Sequence, residues 1–267
     1  MKTKVAAIQM VSAADVPANL GAAGRLIAAA VAEGARLVAL LENFYLIGRH
    51  EGDKVKARER DGSGPIQDFL AQAARRHGLW LLGGTVPLEC ADAGRILSAS
   101  LLYDDAGRRV ARYDKMHLFR FDGDDERHDE ARTLEPGAAA VAVASPFGRL
   151  ALSVCYDVRF PELYRSLGEF DLMFVPSAFT VPTGRAHWEI LLRARAVENQ
   201  AYVIAPAQGG LHESGRRTYG HTMIVDPWGE VLAGLPEGEG VVLAEIDSGK
   251  LREVRGSLPA LVNRRLS

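Results

Sequence analysis

The sequence predicts an α/β fold with a partly antiparallel sheet, and three observations carry that prediction. Short β-branched runs alternate with helix-like segments. Two junctions between runs are hairpin turns. No low-complexity tract or linker divides the 267 residues, so residues 1–267 read as one domain. Alternation argues for helices layered on a sheet, and the hairpins make part of that sheet antiparallel.

In order, "KVAAIQM" reads as a strand and "NLGAAGRLIAAAVAEGA" as a helix with Asn19 as its N-cap and Gly34 as its stop. "RLVALLE" is a second strand. "GPIQDFLAQAARRHG" is a helix with Pro65 in its first turn and Gly78 at its end, after which "LWLLGGTV" returns to strand. "ILSASLLYDDAGRRVARYDK" is two strands around a turn at Asp104 to Gly107. Strand "RLALSVC", helix "PELYRSLG", strand "DLMFVPSAF", helix "AHWEILLRARAVENQ" and strand "AYVIAPAQ" follow. A hairpin "HTMIVDPWGEVLAGL" turns at Asp226 to Gly229, and "GVVLAEID" is the last strand.

Composition narrows the function classes. The 32 basic and 34 acidic residues are interspersed and sum to a net charge of -2, which argues against a nucleic-acid stripe or a polybasic membrane anchor. The N-terminal apolar run is short and interrupted, unlike the core of a signal peptide, and no stretch reaches the roughly 20 apolar residues of a membrane span. Cys90 and Cys155 are the only two cysteines, too few for a disulfide framework, and a reducing cytoplasm is the expected location. The seven histidines lack metal-ligand spacing and the glycine runs lack the context of a nucleotide loop, so no metal and no cofactor are expected. A small molecule is the expected partner.

Open α/β sheets present ligands just beyond their strands, and three polar residues fall there. Glu42 follows "LVALL", Lys115 follows "RRVARYD", and Cys155 closes "RLALSV". Singly, each has a plain explanation: a small buried thiol, an acid at a helix start, a solvated lysine. Together they supply a nucleophile, a base and a cation for a developing oxyanion, which is what attack on an amide or nitrile carbon needs. A helix follows Cys155 closely, and free N–H groups at its start would lower the thiol pKa.

"LENFYLIG", "YDKMHLF" and "CYDVRFPELYR" resemble the three blocks around the Glu-Lys-Cys triad of the nitrilase superfamily, the carbon-nitrogen hydrolases. The resemblance runs from "KVAAIQM" to "LPALVNRRL" and includes "SAF…HWEILLRARAVENQ". It implies a four-layer α-β-β-α sandwich with two mixed sheets, and a homodimer or larger assembly paired through helices near the nucleophile. It makes Cys155 the nucleophile, Glu42 the general base and Lys115 the oxyanion-stabilising cation, with the N–H of Tyr156 completing the oxyanion hole. A second family glutamate precedes a Pro-Gly, and "DEARTLEPG" places it at Glu130, with Glu126 nearby in the same loop. Leu41 stands where the family has a proline before the base, and "FRFDGDDERHDE" is more charged than its family counterpart.

The C-terminal third resembles the amidase branch that includes deaminated glutathione amidase and the ω-amidases acting on keto-acid amides. The expected reaction is hydrolysis of a small carboxylate-bearing amide through a cysteine thioester. Arg159, four residues beyond Cys155, either holds a substrate carboxylate or forms a salt bridge with Asp157, Glu162 or Glu42. Arg216, Arg217 and His212 read as a solvated rim loop, Trp188 mainly as packing, and Cys90 as having no role. Alternative chemistries are ω-amide, carbamoyl amino acid and nitrile hydrolysis; a catalytically silent binding protein of the same fold is the non-enzyme alternative.

Overall fold

The computed structural model describes residues 2–123 and 127–265. Its first half runs β1 (Lys2–Gln9), α1 (Val16–Ala32), β2 (Leu37–Ala39), α2 (Asp53–Lys56), α3 (Pro65–His77), β3 (Trp80–Leu82), β4 (Val86–Glu89), β5 (Ile96–Tyr103), β6 (Arg109–Asp114), β7 (Arg120–Asp122) and β8 (Arg127–Asp129). The second half runs β9 (Val141–Ser145), β10 (Gly148–Leu152), α4 (Pro161–Ser166), β11 (Leu172–Phe174), α5 (Val181–Asn199), β12 (Tyr202–Ala205), β13 (Gly209–Leu211), β14 (Arg217–Tyr219), β15 (Thr222–Val225), β16 (Val231–Leu235), β17 (Gly240–Asp247) and α6 (Ser248–Ser257).

Two mixed sheets form the centre. In the first, β1, β2 and β3 are parallel, while β17 pairs antiparallel with β1 over its whole length and β5 joins β3, β4 and β6. In the second the order is β16-β15-β12-β11-β10-β9, with β10, β11 and β12 parallel.

The period-2 alternation of β1 explains the layering. Ala6 and Ile8 face a core shared with Ala23, Ile27 and Ala30 of α1 and with Leu70 and Ala74 of α3. Val5 and Ala7 face a second core that joins the first sheet to Leu150 and Leu152 of β10, and continues to Trp188, Leu192 and Ala196 of α5. Helices therefore cover the outside of both sheets, giving the expected four layers.

Helix α3 starts on Pro65 and ends on Gly78 in the left-handed conformation, as its punctuation predicts. Helix α1 differs. Its cap is Asp15, whose carboxylate accepts from the N–H of Ala18 at 2.7 Å, and Asn19 lies one turn inside. The buried Asn19 amide instead bonds Ala13 and the carbonyl of Tyr45, tying the loop after β1 to the loop after β2.

Gly84 keeps that second loop in place. Its φ is +55° and an added Cβ would lie 2.0 Å from the carbonyl oxygen of Leu41, the residue before Glu42. Gly84→Ala should therefore cost about 3 kcal/mol, from left-handed strain plus overpacking. A Tm lower by several degrees, accompanied by a loss of any Glu42-dependent activity, is the expected measurement.

Candidate active site

Three strand ends meet at one place. Glu42 lies three residues beyond β2, Lys115 directly follows β6, and Cys155 lies three residues beyond β10. The Lys115 Nζ donates to Oε1 of Glu42 at 2.8 Å and to both carboxylate oxygens of Glu130, at 3.0 and 2.7 Å. Side chains of Lys115 and Glu42 are almost wholly withdrawn from solvent, at 0% and 3% exposure. Two carboxylates and one ammonium thus share a site of low dielectric, where each needs the other.

Coulomb attraction from Glu130 and Glu42 outweighs the opposing burial of Lys115 and raises its pKa well above the ordinary lysine value. The reverse attraction holds Glu130 below the usual carboxylate range, against the effect of its own burial. Glu130 also accepts the N–H of Phe119 at 2.7 Å, which fixes its carboxylate at the floor of the cleft. Glu126 lies outside the described residues.

Cys155 is 6% exposed and has a φ of +49°, a left-handed backbone that turns the strand sharply into the following turn of 3-10 helix. Its thiol does not follow the low-pKa expectation. Burial and the negative charge of Glu42 push it well above the ordinary thiol value, and the ammonium of Lys115 and the N–H of Ala178 offset this only in part. The turn after Cys155 spans five residues and α4 only six, so the helix supplies little opposing field.

Asp157, two residues beyond Cys155, holds the elbow to the lysine. Its buried carboxylate accepts the N–H of Val154 at 2.8 Å and the hydroxyl of Tyr113 at 2.7 Å on one oxygen. The other accepts the N–H of His117 at 3.0 Å and lies 2.7 Å from the His117 ring. His117 stacks on Phe160 with centroids 3.7 Å apart. Asp157→Asn would place an amide N–H against donors and should cost about 3 kcal/mol. A lower Tm together with a lower kcat is expected, because the segments carrying Lys115 and Cys155 lose their common anchor.

Glu42 is anchored from the far end of the chain. The Nε2 of Gln208 donates to the carbonyls of Glu42 and Asn43, each at 3.1 Å, and to Oγ of Ser12 at 2.7 Å. Thr85 accepts the N–H of Asn43 at 2.9 Å. Nothing in the pattern around Gln208 or Thr85 announces these bonds.

Arg159 forms no ion pair with Asp157, Glu162 or Glu42 among the described residues. Its Nη1 lies 3.2 Å from Nδ1 of His187, and its guanidinium sits over the rings of Tyr156 and Phe179 at 5.5 and 5.3 Å. Arg159, Tyr156, Phe179 and Phe119 line a narrow slot with Cys155. Phe119 also walls a wider cleft of about 260 Å³ that contains Glu130, Lys54 and Arg216.

The rim loop divides. Arg216 reaches into the cleft, Arg217 is exposed, and His212 is buried, its ring between the carbonyl of Ser12 and the hydroxyl of Thr218, with burial lowering its pKa. Trp188 is buried against Phe179, one layer behind the slot, and donates to the carbonyl of His221. Cys90 lies apart from the cluster, its thiol 3.3 Å from the carbonyl of Asp92. Among the described residues no group of three or more His, Cys, Asp or Glu could hold a metal ion, and no helix is long and apolar enough to cross a membrane.

Residues 4–256 match the family model described as carbon-nitrogen hydrolase. The chain is 43% identical over 265 residues to a deaminated glutathione amidase of Synechocystis sp., covering 97% of both chains. It is 39% identical over 268 residues to the Homo sapiens deaminated glutathione amidase, covering 98% of this chain and 82% of that protein. The solved structure of Saccharomyces cerevisiae Nit3, a member of branch 10 of the nitrilase superfamily, superposes with a TM-score of 0.88 at 31% identity, covering 99% of this chain and 97% of that one.

Proposed function

Since the chain belongs to the carbon-nitrogen hydrolase family, we propose that it is an amidase acting on a small carboxylate-bearing amide through a cysteine thioester. The observation that carries this reading is the buried Glu42–Lys115–Glu130 chain beside Cys155. A raised thiol pKa means the resting sulfur is protonated, so attack needs a base at the moment of reaction, and Glu42 is the carboxylate for it.

In this mechanism Glu42 takes the thiol proton as Sγ bonds to the amide carbon. The oxyanion is held by the Lys115 ammonium and the N–H of Tyr156. Glu42 then gives its proton to the departing nitrogen, the C–N bond breaks, and a thioester remains. Water, deprotonated by Glu42, attacks the thioester through the same oxyanion site, and the thiol leaves with the proton. Glu130 positions the lysine throughout. Arg159, which has no carboxylate partner among the described residues, binds a substrate carboxylate at the mouth of the slot.

The names of the relatives favour an amide like deaminated glutathione. The test is side-by-side kinetics on deaminated glutathione, α-ketoglutaramate, an N-carbamoyl amino acid and a nitrile. The first should be preferred by at least about tenfold. Turnover of none of them would leave the silent binding protein, and carbon dioxide released with ammonia would mark a carbamoylase.

We further propose that residues 1–267 act as one domain, in the cytoplasm where the thiol stays reduced, and as a homodimer. The outer face of α5 exposes Ile190 and Val197, and the turn carrying exposed Trp228 packs on it through Gly229, whose carbonyl accepts from Arg193. Sedimentation should give a dimer for the wild type and a monomer for Ile190→Glu combined with Val197→Glu; a wild-type monomer overturns this assembly.

A further inference from the structure

Helix α5 reaches the turn that carries the nucleophile at two places. The Nε of its Arg195 donates to the carbonyl of Val158 at 2.8 Å, which fixes the backbone just before Arg159. About two helical turns earlier, along the same side of α5, Nδ1 of His187 lies 3.2 Å from Nη1 of Arg159. Beyond Arg159, the N–H of Phe160 donates to the carbonyl of Asp157 at 3.0 Å. The main chain of Arg159 is therefore held on both sides.

Its side chain is less constrained. Cation–π contact with Tyr156 and Phe179 is attractive over the whole ring face and worth about 0.5–1 kcal/mol at a partly exposed site, so it does not set the rotation of the guanidinium in its own plane. The directional contact is with His187, the one hydrogen-bond partner of this guanidinium among the described residues. A guanidinium has donors only. Nδ1 of His187 is therefore the acceptor, and the imidazole proton lies on Nε2.

That contact decides which edge of the fork is free. Nη1 is the terminal nitrogen on the same side as Cδ, so Nε and Nη2 share the opposite edge, a geometry that takes both oxygens of a carboxylate. Nε is buried and has no acceptor among the described residues. Buried donors are normally matched, and this unmatched one belongs to a side chain that lines the slot with Cys155.

We propose that His187 is the positioning residue of the carboxylate subsite. By accepting from Nη1 it turns the Nε–Nη2 edge of Arg159 to the mouth of the slot, where that edge takes the carboxylate on the acyl half of the substrate. The inference rests on Arg159 being the carboxylate ligand and adds the residue that sets its angle. His187 touches neither substrate nor nucleophile and acts through Arg159 alone.

Glutaramate and glutaramide differ by one charge at nearly constant shape and form the test pair. Wild-type kcat/KM per amide group, measured by ammonia release, should favour glutaramate by about tenfold or more, as a bidentate charge-assisted pair allows. Arg159→Met should reduce that ratio to about two or below. His187→Phe keeps a ring but removes the acceptor, and should bring the ratio below about threefold, chiefly through a higher KM for glutaramate. His187→Asn, whose side-chain oxygen can stand where Nδ1 stands, should restore it above about fivefold. In the Arg159→Met background, His187→Phe should not change the ratio further.

A ratio that survives His187→Phe but not Arg159→Met overturns the role of His187 and leaves Arg159 as the ligand. Failure of His187→Asn to raise the ratio above that of His187→Phe overturns it as well, because the acceptor is then not what matters. A wild-type ratio near one, or a ratio that survives Arg159→Met, overturns Arg159 as the ligand and the inference with it. If the wild type hydrolyses neither amide, calorimetric Kd values on Cys155→Ala protein carry the same comparison. A tenfold preference for glutaramate that is lost with His187→Phe then upholds the inference while the amidase reading falls, and equal binding of the two amides overturns it.

Discussion

Cys155→Ala should lower kcat for any true amide substrate by on the order of 10⁴-fold or more, because in the proposed mechanism it removes the nucleophile and leaves only binding and oxyanion stabilisation. The fold should survive. Cys155 is small and buried, and alanine keeps its Cβ in the same left-handed backbone at φ +49°. Circular dichroism and a Tm within a few degrees of wild type would separate lost chemistry from lost structure. The raised thiol pKa adds a second readout. Alkylation of the wild type by iodoacetamide should keep climbing with pH beyond about 8.5, where an ordinary thiol is half ionised. A profile levelling off below neutrality would contradict a protonated resting sulfur and remove the need for Glu42 as its base.

Lys115→Met should be damaging in two ways. In the proposed mechanism Lys115 is an oxyanion donor, whose loss is worth about 3 kcal/mol at the transition state, so kcat should fall on the order of 10²-fold to 10³-fold with a much smaller change in KM. Glu42, which is buried, and Glu130, which is half-buried, would also be left without their cation, at a cost of about 3 kcal/mol. The pH dependence has a definite sign. In the wild type, Glu130 has a lowered pKa, so its contribution is present above the unfolded carboxylate value and is lost as pH falls through the folded one. In the variant the same carboxylates are destabilising while ionised and are relieved by protonation. The difference in Tm between wild type and variant should therefore be largest near neutral pH and shrink as the solution is acidified below about 5. A difference independent of pH would show that the lysine acts through packing alone.

The mixed α/β alternation was legible in the order of strand-like and helix-like runs, whereas the four layers came only from the family resemblance. Val5 and Ala7 face one core and Ala6 and Ile8 the other, and a strand buried on both faces is apolar throughout and shows no period. The ends of α3 were legible because proline and glycine act through their own backbones, whatever surrounds them. Misplaced boundaries have tertiary causes. Helix α5 begins at Val181, before the apolar stripe, and Gly184 in its first turns lets Tyr219 of β14 pack where a Cβ would stand 2.2 Å from its ring. Asn19 looks like a cap in sequence, yet spends its amide on the loops beside the site. The hairpins β7–β8 and β13–β14 are three-residue pairings within charged or glycine-rich stretches, too short to impose a period.

The candidate site divides in the same way. Glu42 and Cys155 stand out because each follows an apolar strand, and Lys115 because it follows directly on the second strand of a clear hairpin. The partnerships of Asp157, Gln208, Lys54 and Arg216 depend on which loops meet. The thiol pKa follows from burial and from Glu42, neither of which local spacing encodes.

The bonds from Gln208 to the backbone of Glu42 and Asn43 span 166 and 165 residues, and those to Ser12 span 196. During synthesis the ribosome has made Glu42 long before Gln208 exists, and closing so long a loop is an entropic cost met only when the late strands dock. Between the synthesis of Cys155 and that of Gln208 the nascent chain therefore carries the thiol and the Glu42 carboxylate as separate groups. Hydrolytic competence is the last property it acquires, and it arrives with the completion of the fold rather than ahead of it.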